Sequence, residues 1–337
     1  MKITLALDAM GGDHGPAVTV PASLYQLEKN QDLHMILVGR KEELDRMLAG
    51  NKFVAKGRLR TQNATEVVEM HELPSLALRN KKDSSMRVAI ELVQRGAADA
   101  CVSAGNTGAL MAVARFVLKM LPGIDRPAIC SIMPGIAGDT HLLDLGANVD
   151  SSPEQLFQYA VMGSELTSAL YNKSRPTVAL LNVGAEEIKG NENVKQAAAL
   201  LANSHLNYVG FVEGNDIFTG KVDVIVCDGF VGNIALKASE GVAEFLMHNA
   251  REHFQQSLYG RIAALISMPV LKDIRRKIDP RRYNGASLLG LRGIVIKSHG
   301  GADKISFGYA IEEAMLEVQK NIPQRISTEL HKLFPEG

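Results

Sequence analysis

The sequence predicts an α/β protein, a three-layer α/β/α sandwich around a mostly parallel, Rossmann-like sheet. Short apolar or β-branched runs alternate with longer segments of helical period along the whole chain. The run VDVIVC at 222–227 is apolar on both faces, which suits the interior of a parallel sheet covered by helices on both sides. Regular alternation of this kind favours right-handed crossovers between parallel strands.

The individual elements follow from these patterns in chain order. Apolar or β-branched runs predict strands at 2–7, 34–39, 99–103, 127–133, 140–145, 177–182, 207–212, 222–227 and 292–298. Segments of helical period predict helices near 41–49, 84–95, 107–120, 153–171, 192–203, 233–253, 303–319 and 323–333. No repeat or long linker interrupts this order, so residues 1–337 are expected to form a single two-lobed unit without a visible lobe boundary.

Composition excludes several classes of protein. The 337 residues carry 37 basic and 37 acidic side chains, a balance that argues against a nucleic-acid partner. A hydrophobic content of 46% argues against disorder, and no apolar run reaches the roughly 18 residues of a membrane span. Asp8 interrupts the early apolar run, which argues against a signal peptide. Three dispersed cysteines without a CxxC predict a reduced, cytoplasmic protein without disulfides or a zinc site.

Six predicted strands end in the same pattern, a carboxylate, amide or hydroxyl group followed by glycines and a helix. The six segments are DAMGGDHGP at 8–16, SAGNTG at 103–108, LDLGAN at 143–148, NVGAEEIKGN at 182–191, CDGFVGN at 227–233 and SHGGADK at 298–304. Glycine lets main-chain N–H groups approach a ligand, and helix N-termini attract anions. Because ligands of parallel sheets bind at the carboxyl ends of strands, we expect these loops to share one edge and form an anion-binding cleft.

Several common catalytic motifs are absent. No Gly-x-Gly-x-x-Gly fingerprint follows the first strand, and the chain has no Walker A sequence. Nor does it contain a Gly-x-Ser-x-Gly nucleophile elbow. A nicotinamide enzyme or ATPase of the usual kind is therefore disfavoured, and no cofactor or metal is expected.

Taken together in order, these blocks resemble the phosphate acyltransferase (PlsX) family of bacterial phospholipid synthesis. The resemblance includes SAGNTGAL at 103–110, CDGFVGNIALK at 227–237 and LLGLRGIVIKSHG at 288–300. It implies reversible transfer of a fatty acyl group from acyl carrier protein to inorganic phosphate, giving acyl phosphate for a downstream glycerol-3-phosphate acyltransferase. It also implies a homodimer and a fold similar to that of isocitrate and isopropylmalate dehydrogenases.

The chemistry fits a site without a nucleophilic side chain. Phosphate is itself an ionised nucleophile, so the protein has only to hold it beside the thioester and stabilise the developing oxyanion. We expect phosphate to bind between two backbone segments. The candidate phosphate-binding residues are Gly11, Gly12, Asp13, Ser103, Gly105 and Gly108, next to Asn106 and Thr107 at a helix start.

Further polar residues of the loops are candidates for catalysis. Asn148, Asn233 and His299 are expected to contact phosphate or the carbonyl oxygen. The four aspartates of the loops orient those groups or include a base, unless they cap turns and helices; they are Asp8, Asp13, Asp144 and Asp228. Lys189 is expected to pair with phosphate or the acidic carrier protein, unless it is a solvated loop lysine.

The segment 251–282 differs from the rest of the chain. It carries eight basic and three acidic residues, with apolar residues at helical spacing, and predicts a basic amphipathic helical segment. We expect it to associate weakly and peripherally with an anionic membrane, and its basic side chains also suit the acidic carrier protein, although a dimer or intramolecular packing helix fits equally well. The candidate contact residues are Leu258, Arg261, Ile262, Lys272, Arg275 and Arg276.

Three other functions remain open at this point. A phosphate acetyl- or butyryltransferase that uses coenzyme A would share the fold and differ in its acyl donor. A metal-dependent hydroxy-acid dehydrogenase would need clustered acids and arginines, and the loops are almost free of arginine. A non-catalytic scaffold that binds carrier protein is disfavoured by the acids and amides of the loops.

Overall fold

A computed structural model describes residues 1–333, except for the side chains of 274–278. In the described chain eleven strands form one continuous sheet. Their bounds are β1 Ile3–Asp8, β2 Leu33–Gly39, β3 Leu59–Asn63, β4 Ala100–Ser103, β5 Ala128–Met133, β6 Thr140–Leu143, β7 Thr177–Leu181, β8 Asn207–Val212, β9 Val224–Val226, β10 Ala286–Leu289 and β11 Ile294–Lys297.

The helices connect these strands and cover both faces of the sheet. Their bounds are α1 Pro16–Lys29, α2 Lys41–Met47, α3 Lys52–Ala55, α4 Pro74–Asn80, α5 Ser85–Gln94, α6 Thr107–Leu118, α7 Pro153–Tyr171, α8 Glu192–Ala202, α9 Gly229–Gln255, α10 Leu258–Ile278, α11 Lys304–Lys320 and α12 Ile322–Leu333. Two 3₁₀ helices lie at Gly214–Phe218 and Pro280–Tyr283.

The strand order is β3-β2-β1-β4-β11-β10-β5-β6-β9-β7-β8. Seven strand pairs are parallel, and the three antiparallel pairs are β11 with β10, β10 with β5 and β5 with β6. Those three reversals in the middle of the sheet turn β6, β7, β8 and β9 against β1, β2, β3, β4 and β11. The sheet therefore consists of two parallel halves that run in opposite directions.

Each face of the sheet is buried under helices. One apolar cluster runs across both halves, from Ala6 and Cys101 to Ile225, beneath α4, α5, α6 and the start of α9. On the opposite face α1 and α11 cover the first half, and α7, α8 and α12 cover the second. The predicted three-layer α/β/α sandwich with a mostly parallel sheet is confirmed.

The elements missed from the sequence have weak local patterns. β3 reads LRTQN and is an edge strand, so one buried apolar side chain is enough for its place in the sheet. β10 has four residues and owes its place to pairing with β5 and β11. α1 carries Pro16 and Pro21, which usually mark a helix start or break.

Candidate functional site

The six glycine-containing loops do not share one edge of the sheet, and the prediction of a single rim was wrong. β1, β4 and β11 end at one edge, whereas β6, β7 and β9 run the other way and end at the opposite edge. The sequence pattern predicted which polar residues and glycines follow each strand, but it contained no information about strand direction. We call 8–16, 103–108 and 298–304 the Asp8 loop group, and 143–148, 182–191 and 227–233 the Asp144 loop group.

Backbone segments meet at very close range in the Asp8 loop group. Gly12 has φ +85°, and a side chain there would lie 2.8 Å from Ala104 Cβ and 2.9 Å from the carbonyl oxygen of Gly300. A Cβ at Gly11 would lie 2.9 Å from the amide nitrogen of Gly105. The amide of Asp13 donates to the carbonyl of Gly300 over 2.9 Å. Glycine is therefore required for these three loops to converge.

Three polar side chains form a row across the strands beneath this convergence. Lys297 pairs in register with Ser103, and Asp8 follows the pair Leu7–Val102. All three side chains point to the sheet face that α5 and α6 cover, because residues two positions earlier lie in that apolar cluster. The Ser103 hydroxyl donates to Asp8 Oδ2 over 2.6 Å and accepts from the Gly105 amide over 3.1 Å. The row thus contains a carboxyl, a hydroxyl and an ammonium group.

Burial controls the charge of both ends of the row. Asp8 is 1% exposed, and burial raises the pKa of its carboxyl above the ordinary value, although the Ser103 hydroxyl opposes the shift. Asp8 Oδ1 accepts no direct hydrogen bond from the described residues. The Ser85 side chain and the amides of Met10 and Gly11 nevertheless lie near enough to stabilise the charged carboxylate, which opposes the rise in its pKa. Burial lowers the pKa of Lys297 to about 8.

Lys297 was missed from the sequence because it precedes the polar glycine loop at 298–304 and so lies outside the pattern that the six loops share. The signal was present, since a single lysine ends the otherwise apolar strand IVIK immediately before a polar glycine loop. A charge at the end of a central strand is costly unless it has a partner or a task.

The start of α6 is built by Asn106. Its Oδ1 accepts from the Ala109 amide over 3.0 Å as a helix cap, and its Nδ2 donates to the carbonyls of Met70 and Glu72. Thr107 is half-buried at the first helical position. Gly108 packs against Pro74, where a Cβ would lie 2.7 Å from Cγ. Asn106 therefore fixes the loop before α4, and the N–H groups of this helix start remain the phosphate candidates.

His299 and Asp13 border the same loops. The His299 amide donates to Asn284 Oδ1 over 2.8 Å, and its Nδ1 accepts from the Gly301 amide over 3.1 Å. That bond places the ring hydrogen of a neutral His299 on the exposed Nε2. The exposed Asp13 carboxylate lies over Gly300 and Gly301. Both side chains are free to meet a ligand at the rim.

Asp144 serves a structural purpose in the Asp144 loop group. It is fully buried and accepts from the amides of Ile129, Ala147 and Asn148 and from the Asn148 side chain, over 2.7–3.0 Å. Burial raises the pKa of its carboxyl, and these donors oppose the shift. Asn148 also donates to the Pro127 carbonyl over 2.8 Å. Both side chains are committed to the turn, which disfavours the predicted contacts with substrate.

The remaining candidates of this group are less constrained. Asp228 caps α9 by accepting from the Val231 amide over 2.8 Å, the alternative that the sequence left open. Asn233 is exposed on the first turn of α9, beside Gly146. Lys189 is half-exposed and pairs with Glu186 over 2.9 Å.

Helix α9 extends from the Asp144 loop group over the apolar face that both halves of the sheet share. Asp228 caps its start, and Ala235 and Leu236 pack on that face. Lys237 lies about 14 Å from Asp228 along the helix axis. The charge of Lys237 acts on Lys297 from a distance and lowers the pKa of that residue.

The predicted basic segment is a helical hairpin rather than one helix. It contains the end of α9, the turn at 256–257 capped by Ser257, and α10. Leu258 is 75% exposed and Tyr259 84%, and Ile262, Arg261 and Lys272 are exposed or half-exposed. Arg275 and Arg276 belong to α10, but their side chains lie outside the described residues.

Neither a metal-binding cluster nor a membrane-spanning helix is present among the described residues. No group of three or more histidine, cysteine, aspartate or glutamate side chains there has the geometry to hold a metal ion. None of the helices in the described part of the chain is both long enough and apolar enough to cross a bilayer.

Sequence comparisons cover almost the whole chain. The family model described as fatty acid synthesis protein matches residues 3–325. A phosphate acyltransferase from Methylococcus capsulatus is 60% identical over 331 residues, 98% of this chain and 98% of that protein. Another from Nitrosococcus oceani is 58% identical over 337 residues, 100% of this chain and 99% of that protein.

Solved structures show the same fold at much lower identity. A phosphotransacetylase from Streptococcus pyogenes superposes with a TM-score of 0.60 at 18% identity, over 95% of this chain and 94% of that one. A putative 4-hydroxythreonine-4-phosphate dehydrogenase from Salmonella typhimurium gives 0.55 at 13% identity, over 94% and 99%. These likenesses establish the architecture alone.

Proposed function

This chain belongs to the fatty acid synthesis protein family of phosphate acyltransferases, and we propose that it moves a fatty acyl group reversibly from acyl carrier protein to inorganic phosphate. Its relatives over nearly the whole length bear the name phosphate acyltransferase. The observation that carries the proposal is the convergence of three loops over the row of Asp8, Ser103 and Lys297. Backbone amides, a helix start and a buried cation suit an oxyanion ligand.

The proposed reaction needs no covalent enzyme intermediate. A phosphate oxygen attacks the thioester carbonyl, the carbon–sulfur bond breaks, and the proton lost by phosphate goes to the leaving thiolate. The products are acyl phosphate and the free thiol of the carrier. The cysteines support this route, since Cys101, Cys130 and Cys227 are buried and burial raises the pKa of each thiol well above its ordinary value.

The protein's part in this scheme is to hold and orient the reactants. Amides of the Asp8 loop group and of the α6 start bind phosphate, and Asp8 fixes the Ser103 hydroxyl. The ring of His299 and the side-chain amide of Asn233, both of exposed residues, are the proposed donors to the carbonyl oxygen. Alignment of two bound reactants can supply about 7–11 kcal/mol of the barrier reduction.

Trapping of the product tests the proposal. The purified protein is incubated with an acyl carrier protein thioester and phosphate, and acyl phosphate is captured with hydroxylamine. Hydroxamate that forms only when both substrates are present supports the proposal. Activity with short acyl-CoA and none with the carrier protein would instead identify a phosphate acetyl- or butyryltransferase.

The α9–α10 hairpin is the proposed contact with an anionic membrane, with the carrier protein as a second ligand of its basic residues. Leu258, Tyr259 and Ile266 are more than 70% exposed, which is unusual for a cluster of large apolar side chains. Liposome flotation of the wild type and of the variants Leu258→Glu and Ile262→Glu tests this contact. Unchanged flotation of the variants would assign the apolar face to protein packing instead.

A homodimer is the proposed assembly, and α9 supports it. Among the 27 residues of α9 only Gly229 and Gly232 are fully buried, whereas Val242, Phe245 and Leu246 are more than half exposed. A second copy is the partner that would cover such a face permanently. Light scattering should give twice the mass of 36.5 kDa, and a monomer at micromolar concentration would contradict the proposal.

A further inference from the structure

Lys297 is a buried cation without a carboxylate in contact. It is 9% exposed, and no carboxylate oxygen of the described residues lies within 4.0 Å of its Nζ. Nζ donates to the carbonyl oxygens of Ala104, over 3.4 Å, and of Ser298. An ammonium group has three N–H donors, so these two contacts leave one donor for another partner.

The surroundings do not compensate this charge fully. Burial is the largest influence on Lys297 and lowers its pKa to about 8. Asp8 of β1 and Asp13 of the following loop oppose the shift from a distance, and Lys237 of α9 adds to it. A buried charge without direct compensation is costly, which favours the arrival of an anion with the substrate.

The position of this cation is the junction of the three loops. The Ala104 carbonyl that it contacts lies beside Gly12, and Gly12 in turn lies against Gly300. The charge of Lys237 on α9 acts on Lys297 only from a distance, and Lys237 is exposed and pairs with Glu240 over 2.6 Å. An anion that reaches the junction of the loops would therefore meet the ammonium group of Lys297.

We propose that Lys297 is a substrate-binding residue whose ammonium group binds a phosphate oxygen where the three loops of the Asp8 loop group converge. The proposal rests on the proposed function and deepens it by naming the buried cation for phosphate. A lysine that only joined the Ala104 and Ser298 carbonyls would affect stability, with no selective effect on phosphate.

The test compares Lys297→Met with Lys29→Met. Lys29 is an exposed lysine of α1, outside both loop groups, and its ammonium lies 4.5 Å from the Tyr25 ring on the other side of the sheet, which makes it a matched control. Steady-state rates of acyl phosphate formation give separate KM values for phosphate and for the acyl donor. We expect Lys297→Met to raise KM for phosphate about tenfold or more and to leave KM for the donor within about twofold. Lys29→Met should change neither.

A second measurement needs no variant, so it stands even if Lys297→Met fails to fold. Because deprotonation removes the positive charge, the affinity of the wild type for phosphate should fall as pH rises through about 8, measured by calorimetry without acyl donor. Phosphate remains dianionic above that pH, so the loss reports on the protein.

The outcomes separate the two claims. A wild type that forms no acyl phosphate contradicts the proposed function, whatever Lys297 does. A wild type that forms acyl phosphate while Lys297→Met keeps the normal KM for phosphate overturns this inference alone. Phosphate affinity that stays constant between pH 7.5 and pH 9.5 overturns it as well.

Discussion

Asp8 and Asp144 end strands in opposite halves of the sheet, and their surroundings differ despite the same sequence pattern. Both are buried, and burial raises the pKa of both carboxyls. Asp144 accepts four direct hydrogen bonds that close a turn. Asp8 accepts from the Ser103 hydroxyl, and its Oδ1 lacks a direct hydrogen bond. The same sequence pattern therefore produces a carboxylate that closes a turn at Asp144, and a carboxylate with one direct hydrogen bond next to a buried lysine at Asp8.

One lysine near each loop group shows a similar difference in pairing. Lys189 is half-exposed and paired with Glu186 in the Asp144 loop group. Lys297 is buried at the end of β11, next to the Asp8 loop group, and among the described residues its ammonium contacts carbonyl oxygens only. A paired surface charge contributes little to specific binding, whereas a buried, incompletely paired charge favours an ion of opposite sign.

Removal of Asp144 should have the largest effect. Asp144→Ala leaves the amides of Ile129, Ala147 and Asn148 without an acceptor, so the free energy of unfolding should fall by about 3 kcal/mol or more. Urea denaturation measures the change. Asp228→Ala, which removes one helix cap, is the matched control and should cost about 1 kcal/mol. Equal losses in the two variants would contradict a scaffold role for Asp144.

Asp8→Asn should show the opposite profile. The amide keeps the shape and can still accept from Ser103, so the free energy of unfolding should change by less than about 1 kcal/mol. The rate of acyl phosphate formation should fall about 100-fold, because the charged acceptor that fixes the Ser103 hydroxyl and opposes the lowered pKa of Lys297 is lost. Rate assays and urea denaturation on one preparation test both parts. A loss of stability with normal turnover would show that Asp8 has a structural role, like Asp144.

A smaller, salt-dependent effect is expected at the other cation. Lys189→Ala removes one end of an exposed ion pair, so stability should stay within about 0.5 kcal/mol. If Lys189 attracts the acidic carrier protein, the KM for the acyl donor should rise about tenfold at low salt and approach the wild-type value at high salt. A salt-independent effect on the KM for phosphate would place Lys189 at the phosphate instead.

The smallest effect concerns a buried carboxyl outside both loop groups. Glu317 on α11 is 1% exposed, and burial together with the neighbouring Glu313 raises its pKa well above the ordinary value. A raised pKa in the folded state means that folding takes up a proton, so stability should fall as pH rises above the ordinary range of a glutamate. Glu317→Gln should remove this dependence and add about 1 kcal/mol at pH 8, with unchanged turnover.

Urea denaturation of Glu317→Gln and wild type at pH 6 and pH 8 measures that difference. A difference that grows with pH supports the assignment, and a loss of turnover would show that burial of this carboxyl has a catalytic purpose.

The sequence predicted the three-layer sandwich and most of its elements, because apolar runs such as VDVIVC record burial directly. It did not predict that β6, β7 and β9 run against β1, since strand direction depends on the pairing of β10 with β5 and β11. For the same reason the six loops were expected at one edge.

The local geometry of some candidate residues was predicted correctly, whereas their roles remain predictions. The glycines Gly11 and Gly12 were correctly singled out as positions of close backbone approach. The environments of Asp8 and Asp144 could not be distinguished from the sequence, because some of their hydrogen-bond partners are distant along the chain. Ser103 lies 95 residues from Asp8, and Ile129 lies 15 residues from Asp144. Lys297 was not identified as a site residue because it is the last residue of the otherwise apolar strand IVIK.

The most direct test asks whether phosphate attacks the thioester without help from an enzyme-bound acyl group. The protein is incubated with carrier protein thioester labelled in the acyl chain, first without phosphate and then with it, and protein-bound and small-molecule label are separated after each step. Direct transfer predicts no covalent label on this polypeptide at either step and labelled acyl phosphate after phosphate is added. Label covalently attached to the polypeptide before phosphate arrives, and released when it does, would contradict direct transfer.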